Sequence, residues 1–159
     1  TRFLMLKSKK LDIGLVEPIE YERKLDKSFF QTFNLYEKMS QSYTYLGFNL
    51  RLKKFQNPKV REALSLGIDR SEIVDILFFK HAKICCGPFL PNSLAFNKNV
   101  KAPKRDKKRA IKLLKEAGYN KNNPLHFEIV TSNSSPIRPY TAQIIQYQLK
   151  QIGVDVTLR

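Results

Sequence analysis

The stretch Tyr43–Arg70, YTYLGFNLRLKKFQNPKVREALSLGIDR, constrains the fold more than any other part of the chain. Its opening, Tyr43–Leu50, is rich in aromatic and apolar residues and short of helix signals. Tyr45, Phe48 and Leu50 predict a strand, and Gly47 within it predicts a bulge or a close backbone approach. Asn57-Pro58 then predicts a helix start. Asn57 can accept a bond from an orphan N–H, and Pro58 has no N–H to lose at the first helical position. Val60, Ala63, Leu64 and Gly67 follow at helical spacing and form one apolar face. Asp69, with Glu72 three residues on, predicts a second helix opened by a capping box, with Ile73, Ile76 and Leu77 on its buried side.

The flanking chain follows the same logic. The first ten residues read as the end of a helix, and Leu11–Val16 as a short buried strand stopped by Pro18. Pro18–Leu25 reads as a short helix, and Phe29–Leu35 alternates enough to predict a strand. Gly87, Pro88 and Pro91 mark an irregular loop, followed by a polar linker over Asn92–Arg105. Asp106 caps a helix running to Ala117, with Ala110, Leu113, Leu114 and Ala117 inward and Gly118 ending it. Leu125–Thr131 alternates as a strand whose Leu125, Phe127 and Ile129 share a face while His126 points away. Ser132–Pro136 reads as a polar loop and Ile137–Ile152 as a helix with Ala142, Ile145, Leu149 and Ile152 inward. Val154–Leu158 follows as a strand. Strand, helix, strand in that order predicts a parallel βαβ unit with a right-handed crossover. The expected class is therefore α/β, a mixed sheet flanked by helices in a single domain over residues 1–159.

Charge and cysteines narrow the function classes. A net charge of +15 invites a nucleic-acid reading, but the lysines are dispersed except over Lys101–Lys115. There they alternate with Ala110, Ile111, Leu113 and Leu114, as on the solvated face of an amphipathic helix, and no nucleic-acid recognition motif accompanies them. Cys85 and Cys86 are adjacent, a spacing that disfavours a disulfide between them. His81, four residues before Cys85, invites a metal site, yet the spacing matches no zinc pattern. No apolar run reaches the roughly 20 residues of a membrane span. No nucleophile–base grouping, phosphate loop or paired catalytic carboxylates can be assembled, so neither an enzyme nor a cofactor is expected.

The order of short words along the chain is distinctive: Tyr45–Asn49 (YLGFN), Pro58–Leu64 (PKVREAL), Ile68–Arg70 (IDR), Gly87–Pro91 (GPFLP) and Ala110–Tyr119 (AIKLLKEAGY). In series they resemble the extracytoplasmic solute-binding proteins of peptide and nickel ABC importers, the dipeptide/oligopeptide-binding family. The resemblance implies one lobe of a two-lobed periplasmic-binding-protein fold. Family members are several times longer, so the chain is expected to be most of the second lobe, with the first lobe outside it. The resemblance further implies a monomeric receptor outside the cytoplasm that captures a peptide or small solute and delivers it to a membrane permease. It places Tyr45, Asn49, Gly87 and Pro88 near the ligand cleft. An acidic anchor for the peptide amino end is expected beyond Arg159. Arg138, whose guanidinium fork matches a carboxylate, is a candidate partner for the peptide carboxyl end. The alternatives are a nickel-chelate receptor of the same family, a metal site at His81, Cys85 and Cys86, and a basic nucleic-acid-binding module.

Overall fold

The computed structural model describes residues 2–40, 42–91, 93–132 and 137–159. Its helices are α1 (Arg2–Lys7), α2 (Pro18–Lys24), α3 (Lys27–Thr32), α4 (Lys53–Gln56), α5 (Pro58–Gly67), α6 (Arg70–Phe78), α7 (Lys107–Glu116) and α8 (Ile137–Lys150). Strands β1 (Leu125–Ile129) and β2 (Val154–Leu158) flank α8 and pair in parallel, with Leu125 opposite Val154 and Ile129 opposite Leu158. The expected βαβ unit therefore forms. The pairing runs one step beyond the strands, since Thr131 N–H donates to the Arg159 carbonyl at 2.9 Å.

One face of this sheet is buried and the other is wet. Leu125, Phe127, Ile129, Val154 and Val156 join Val60, Ala63 and Leu64 of α5, Ala110 and Leu114 of α7, and Ala142, Ile145 and Leu149 of α8 in one core. His126 lies on the wet face, as its place in the alternation predicts, 3.0 Å from the Asp155 carboxylate across the strands. Gly67, at the end of α5, marks where that helix meets α8. A Cβ there would sit 2.6 Å from Ile152 Cδ1 and 3.1 Å from Leu149 Cδ2.

The helix starts follow local chemistry. Asn57 Oδ1 accepts from Lys59 N–H at 3.0 Å ahead of Pro58, and Asp106 Oδ1 accepts from Arg109 N–H at 2.9 Å. After α7, Gly118 takes a left-handed φ of 91°, which glycine adopts without a Cβ penalty. Asp69 caps α6 by accepting from the Ser71 and Glu72 amides. Its expected reciprocal partner differs. Glu72 does not return to the Asp69 N–H; Gln148 of α8 takes that donor at 2.8 Å and donates to Glu72 Oε2 at 2.7 Å. A buried amide from a distant helix thus completes the cap.

Three expected strands do not form ladders. Leu11–Val16 has no strand beside it among the described residues, and Ile13 and Leu15 lie in solvent, so the segment is not a buried strand. Phe29–Leu35 begins inside α3. Asp26 caps that helix, and Phe29 stacks on Phe33 at 5.0 Å, a contact made by the four-residue spacing of a helix turn. Tyr43–Leu50 runs without a pairing partner among the described residues. Among the described residues the sheet is accordingly two parallel strands, with no antiparallel strand beside them. On α6, Ile76 is exposed where an inward position was expected. Of the Ser132–Pro136 loop, all but Ser132 lies outside the described residues. No helix among the described residues is long and apolar enough to cross a membrane.

Helices α1–α3 form a satellite in which Phe3, Leu6 and Phe29 are buried. Asp26 joins two of its helices, capping α3 and meeting Lys7 of α1 at 3.2 Å. The Ser28 hydroxyl, the Phe29 N–H and Lys7 together lower its pKa from 3.8 to about 2. A carboxylate held down in this way stabilises the fold fully above 3.8, and that contribution is lost as pH falls through about 2. Asp26→Asn is therefore expected to be less stable than the parent above 3.8, with the gap closing as pH approaches 2. Paired melting curves across that range, together with a carboxyl titration by NMR, check this. A gap that does not change with pH would contradict it.

Candidate functional site

The motif words divide into two groups once their contacts are known. Most of them hold the scaffold. Arg61 Nη1 donates to the carbonyls of Phe55 and Gln56 at 2.6 and 2.9 Å, closing the end of α4. Arg70 Nη2 meets Ser65 Oγ at 2.8 Å, and its Nη1 donates to the Ser65 and Pro103 carbonyls at 3.1 and 3.4 Å. The Ile68–Asp69–Arg70 word is thus a junction: Ile68 is buried, Asp69 caps α6, and Arg70 satisfies the end of α5 and ties in the segment before α7. Arg105 adds a bond from Nε to the Gly67 carbonyl at 3.0 Å.

The YLGFN word behaves differently. Although unpaired, the segment alternates in burial: Leu46 and Phe48 pack on the core, while Tyr45, Gly47 and Asn49 face out. Phe48 lies 5.3 Å from Phe55, which in turn meets Phe127 edge-on at 5.3 Å. These contacts pin the strip to the sheet's buried face. On its outer side the Tyr45 ring, 76% exposed, lies beside Tyr43 at 5.7 Å. It also leans over Gly47, where a Cβ would be 3.3 Å from Tyr45 Cε2. Among the described residues Gly47 thus meets only the Tyr45 side chain, and neither the expected bulge nor a close backbone approach is seen. Asn49 turns inward on its own backbone, its Oδ1 accepting from Arg51 N–H at 3.1 Å. Between Tyr43 and Phe48 no backbone N–H or carbonyl makes a hydrogen bond among the described residues. Among the described residues these main-chain donors and acceptors are thus unpaired, on a support fixed by Phe48 and edged by two tyrosines.

The other sequence candidates lie elsewhere. Gly87 and Pro88 form an exposed bend, and a Cβ at Gly87 would meet nothing within 4 Å. No hydrogen bond or ring contact joins this bend to Tyr45 or Asn49 among the described residues. Arg138 lies exposed in the first turn of α8, not in a loop. Cys85 and Cys86 are free, half-buried thiols. His81 Nε2 faces Glu22 at 3.0 Å and its Nδ1 faces Glu37 at 3.3 Å. Glu22 first, then Glu37, raises its pKa, favouring an imidazolium that has no lone pair for a metal. Among the described residues no group of three His, Cys, Asp or Glu side chains is placed to hold a metal ion.

One surface escaped the sequence reading. Tyr140, Ile144 and Tyr147 line a shallow apolar groove against Ile76 and Leu77 of α6. Their spacing of four and three residues is the available signal. It marks a second stripe on α8 beside the inward one.

A parallel βαβ core with helices packed on one sheet face, presenting an unpaired strip at its margin, defines an α/β lobe of the periplasmic-binding-protein class. All of it, residues 1–159, matches the family model of bacterial extracellular solute-binding proteins, family 5, middle region. The chain belongs to that family. It is 32% identical over 123 residues to di/tripeptide-binding protein 2 of Pseudomonas aeruginosa, covering 77% of this chain and 23% of that one. Glutathione-binding protein GsiB of Escherichia coli is 32% identical over 154 residues, covering 97% of this chain and 29% of GsiB. The solved structure of NikZ from Campylobacter jejuni in complex with Ni(L-His) superposes with a TM-score of 0.83 at 32% identity. That match covers 99% of this chain and 33% of NikZ. The chain thus spans between about a quarter and a third of the length of these relatives. All three are binding proteins by name or by bound ligand.

Proposed function

We propose that the chain is most of the second lobe of a receptor that captures short peptides outside the cytoplasm and hands them to the permease of an ABC importer. The observation that carries this reading is the free main-chain strip at Tyr43–Phe48. Unpaired backbone groups on a rigid edge recognise another backbone whatever its side chains, which is what a peptide receptor of broad specificity requires. Tyr43 and Tyr45 supply apolar area with a polar tip beside that strip. The partner wall is the other lobe, which closes over the solute by a hinge. The role is capture without chemistry, and the working receptor is a monomer. In this reading Gly87 and Pro88 border the cleft from a second loop, and the Arg138 guanidinium fork matches the carboxyl end of a peptide.

A second reading, capture of a nickel–histidine chelate, is favoured by the NikZ likeness over nearly the whole chain. In that case histidine donors would come largely with the metal.

Both readings are tested by thermal melting of the full-length receptor with di- and tripeptides, glutathione and Ni(L-His)2. A true ligand at 100 times its Kd is expected to stabilise the receptor by about 2.7 kcal/mol. Tyr45→Ala is expected to weaken that ligand by about tenfold while leaving the unliganded Tm unchanged, because its ring is mostly in solvent. A panel in which no peptide or chelate moves the Tm would refute the proposal. A response to the chelate alone would select the second reading.

A further inference from the structure

The densest charge in the molecule lies outside the proposed cleft. From Lys98 to Lys115 there are nine lysines and arginines and one acid, Asp106. Asp106 is engaged in capping α7. Of this charge only Arg109 is balanced by an acid among the described residues, Glu62; Arg105 and Lys107 donate to the neutral Gln151 side-chain carbonyl. Lys101, Lys104, Lys108, Lys112 and Lys115 are exposed and form no ion pair among the described residues. Lys108, Lys112 and Lys115 stand at i, i+4 and i+7, one stripe on the side of α7 opposite buried Ala110 and Leu114. Ile111 is exposed at the edge of that stripe, an apolar tip among ammonium groups.

We propose that this face is a docking surface for an anionic lipid bilayer, holding the lobe flat against the membrane in which its permease sits. Lysines on a helix face beside an exposed aliphatic residue are the arrangement that binds acidic headgroups by charge and rests a side chain at the interface. Nucleic acid fits less well. No residue from Lys98 to Lys115 is aromatic, so bases have nothing to stack on, and the chain's family is extracellular. The lysine face is far along the chain from the Tyr43–Phe48 strip, and its role does not depend on which solute is captured. The family placement supplies only the compartment.

The test is co-sedimentation of the full-length receptor with vesicles of phosphatidylcholine alone and of equal parts phosphatidylcholine and phosphatidylglycerol. Binding is expected only to the anionic vesicles, strong at about 0.05 M salt and lost at about 0.5 M. Neutralising Lys104→Gln, Lys108→Gln and Lys112→Gln together is expected to weaken binding by about tenfold or more. The matched set Lys10→Gln, Lys38→Gln and Lys83→Gln removes as much net charge elsewhere and is expected to weaken it less than about threefold. Circular dichroism verifies that both sets fold. The proposal is overturned by equal binding to neutral vesicles, by an equal loss in the matched set, or by tighter binding to a duplex oligonucleotide that the first set abolishes. Since no solute enters this assay, its failure is separable from failure of the peptide reading.

Discussion

Replacing Gln148 with leucine is expected to lower the unfolding free energy by about 2–4 kcal/mol, although leucine is apolar, similar in size and bound for a buried site. Gln148 is fully buried and makes three hydrogen bonds. It accepts from Asp69 N–H at 2.8 Å, donates to Glu72 Oε2 at 2.7 Å and reaches the Asp69 carbonyl at 3.4 Å. Leucine would leave an amide donor and a carboxylate without partners at the start of α6, and unmade buried bonds cost more than made ones gain. Gln148→Glu separates this explanation from simple packing. The introduced carboxyl would face Glu72, so its ionised form is disfavoured and its folded pKa is raised above the unfolded value of about 4.3. Such a group contributes most below that value and its contribution is lost as pH rises through the folded pKa. Gln148→Glu should therefore lose most at neutral pH and recover in acid, while Gln148→Leu should not recover. Denaturant unfolding at two pH values measures both. Parallel behaviour of the two variants would show that shape, not bonding, governs the site.

Leu149→Ala is expected to cost about 3–4 kcal/mol. Leu149 is fully buried and fills the space where α8 meets the end of α5. Gly67 sits directly opposite, its backbone close enough that a Cβ would come within 3.1 Å of Leu149 Cδ2. Gly67→Ala alone should therefore destabilise by about 1–3 kcal/mol through overpacking. In the Leu149→Ala background the same alanine enters the vacated space, and Ile152 can swing its Cδ1 aside into what remains. There Gly67→Ala should be neutral or stabilising, giving a coupling of about 1–2 kcal/mol in a double-mutant cycle. Simple additivity would show that the two helices separate instead of interlocking.

The helix boundaries were the most legible features because their signals are local. Asn57-Pro58, Asp69, Asp106 and Gly118 act on amides and carbonyls within a few residues, and the structure uses each where it was expected. The alternation of Leu125–Ile129 and Val154–Leu158 was legible for a similar reason: one face of each strand is buried and one is wet. The failed strands show the limit. Phe29, Phe30 and Phe33 look like strand residues by type, but Asp26 sits where a cap belongs and their spacing fits a helix turn equally well. Tyr43–Leu50 was read as a strand and forms none among the described residues; Leu46 and Phe48 pack inward, but Leu50, in phase with them, is exposed in a turn. Whether an extended segment becomes a strand depends on a neighbour that no local signal names.

Within the candidate segment the YLGFN word did not tell its two aromatics apart: Tyr45 is exposed and Phe48 packs on the core. Asn49 proved to be a local turn, with its side chain bonded to the Arg51 amide two residues on. The groove between α6 and α8 was missed because an apolar residue at helical spacing is read as core by default, and α8 carries two such stripes.

The sequence by itself determined the helix caps, the βαβ order and the family, since these rest on contacts between residues close in the chain or on words that keep their order. Only the tertiary structure decided the rest. It placed Gln148 beneath a cap 79 residues away, set Arg70 against carbonyls from two segments, and left Tyr43–Phe48 with its backbone unpaired. Buried polar groups must find partners wherever the fold brings them, and the partner is chosen by distance in space. The Tyr43–Arg70 stretch thus shows both sides: its caps were readable from its letters, and its free edge was not.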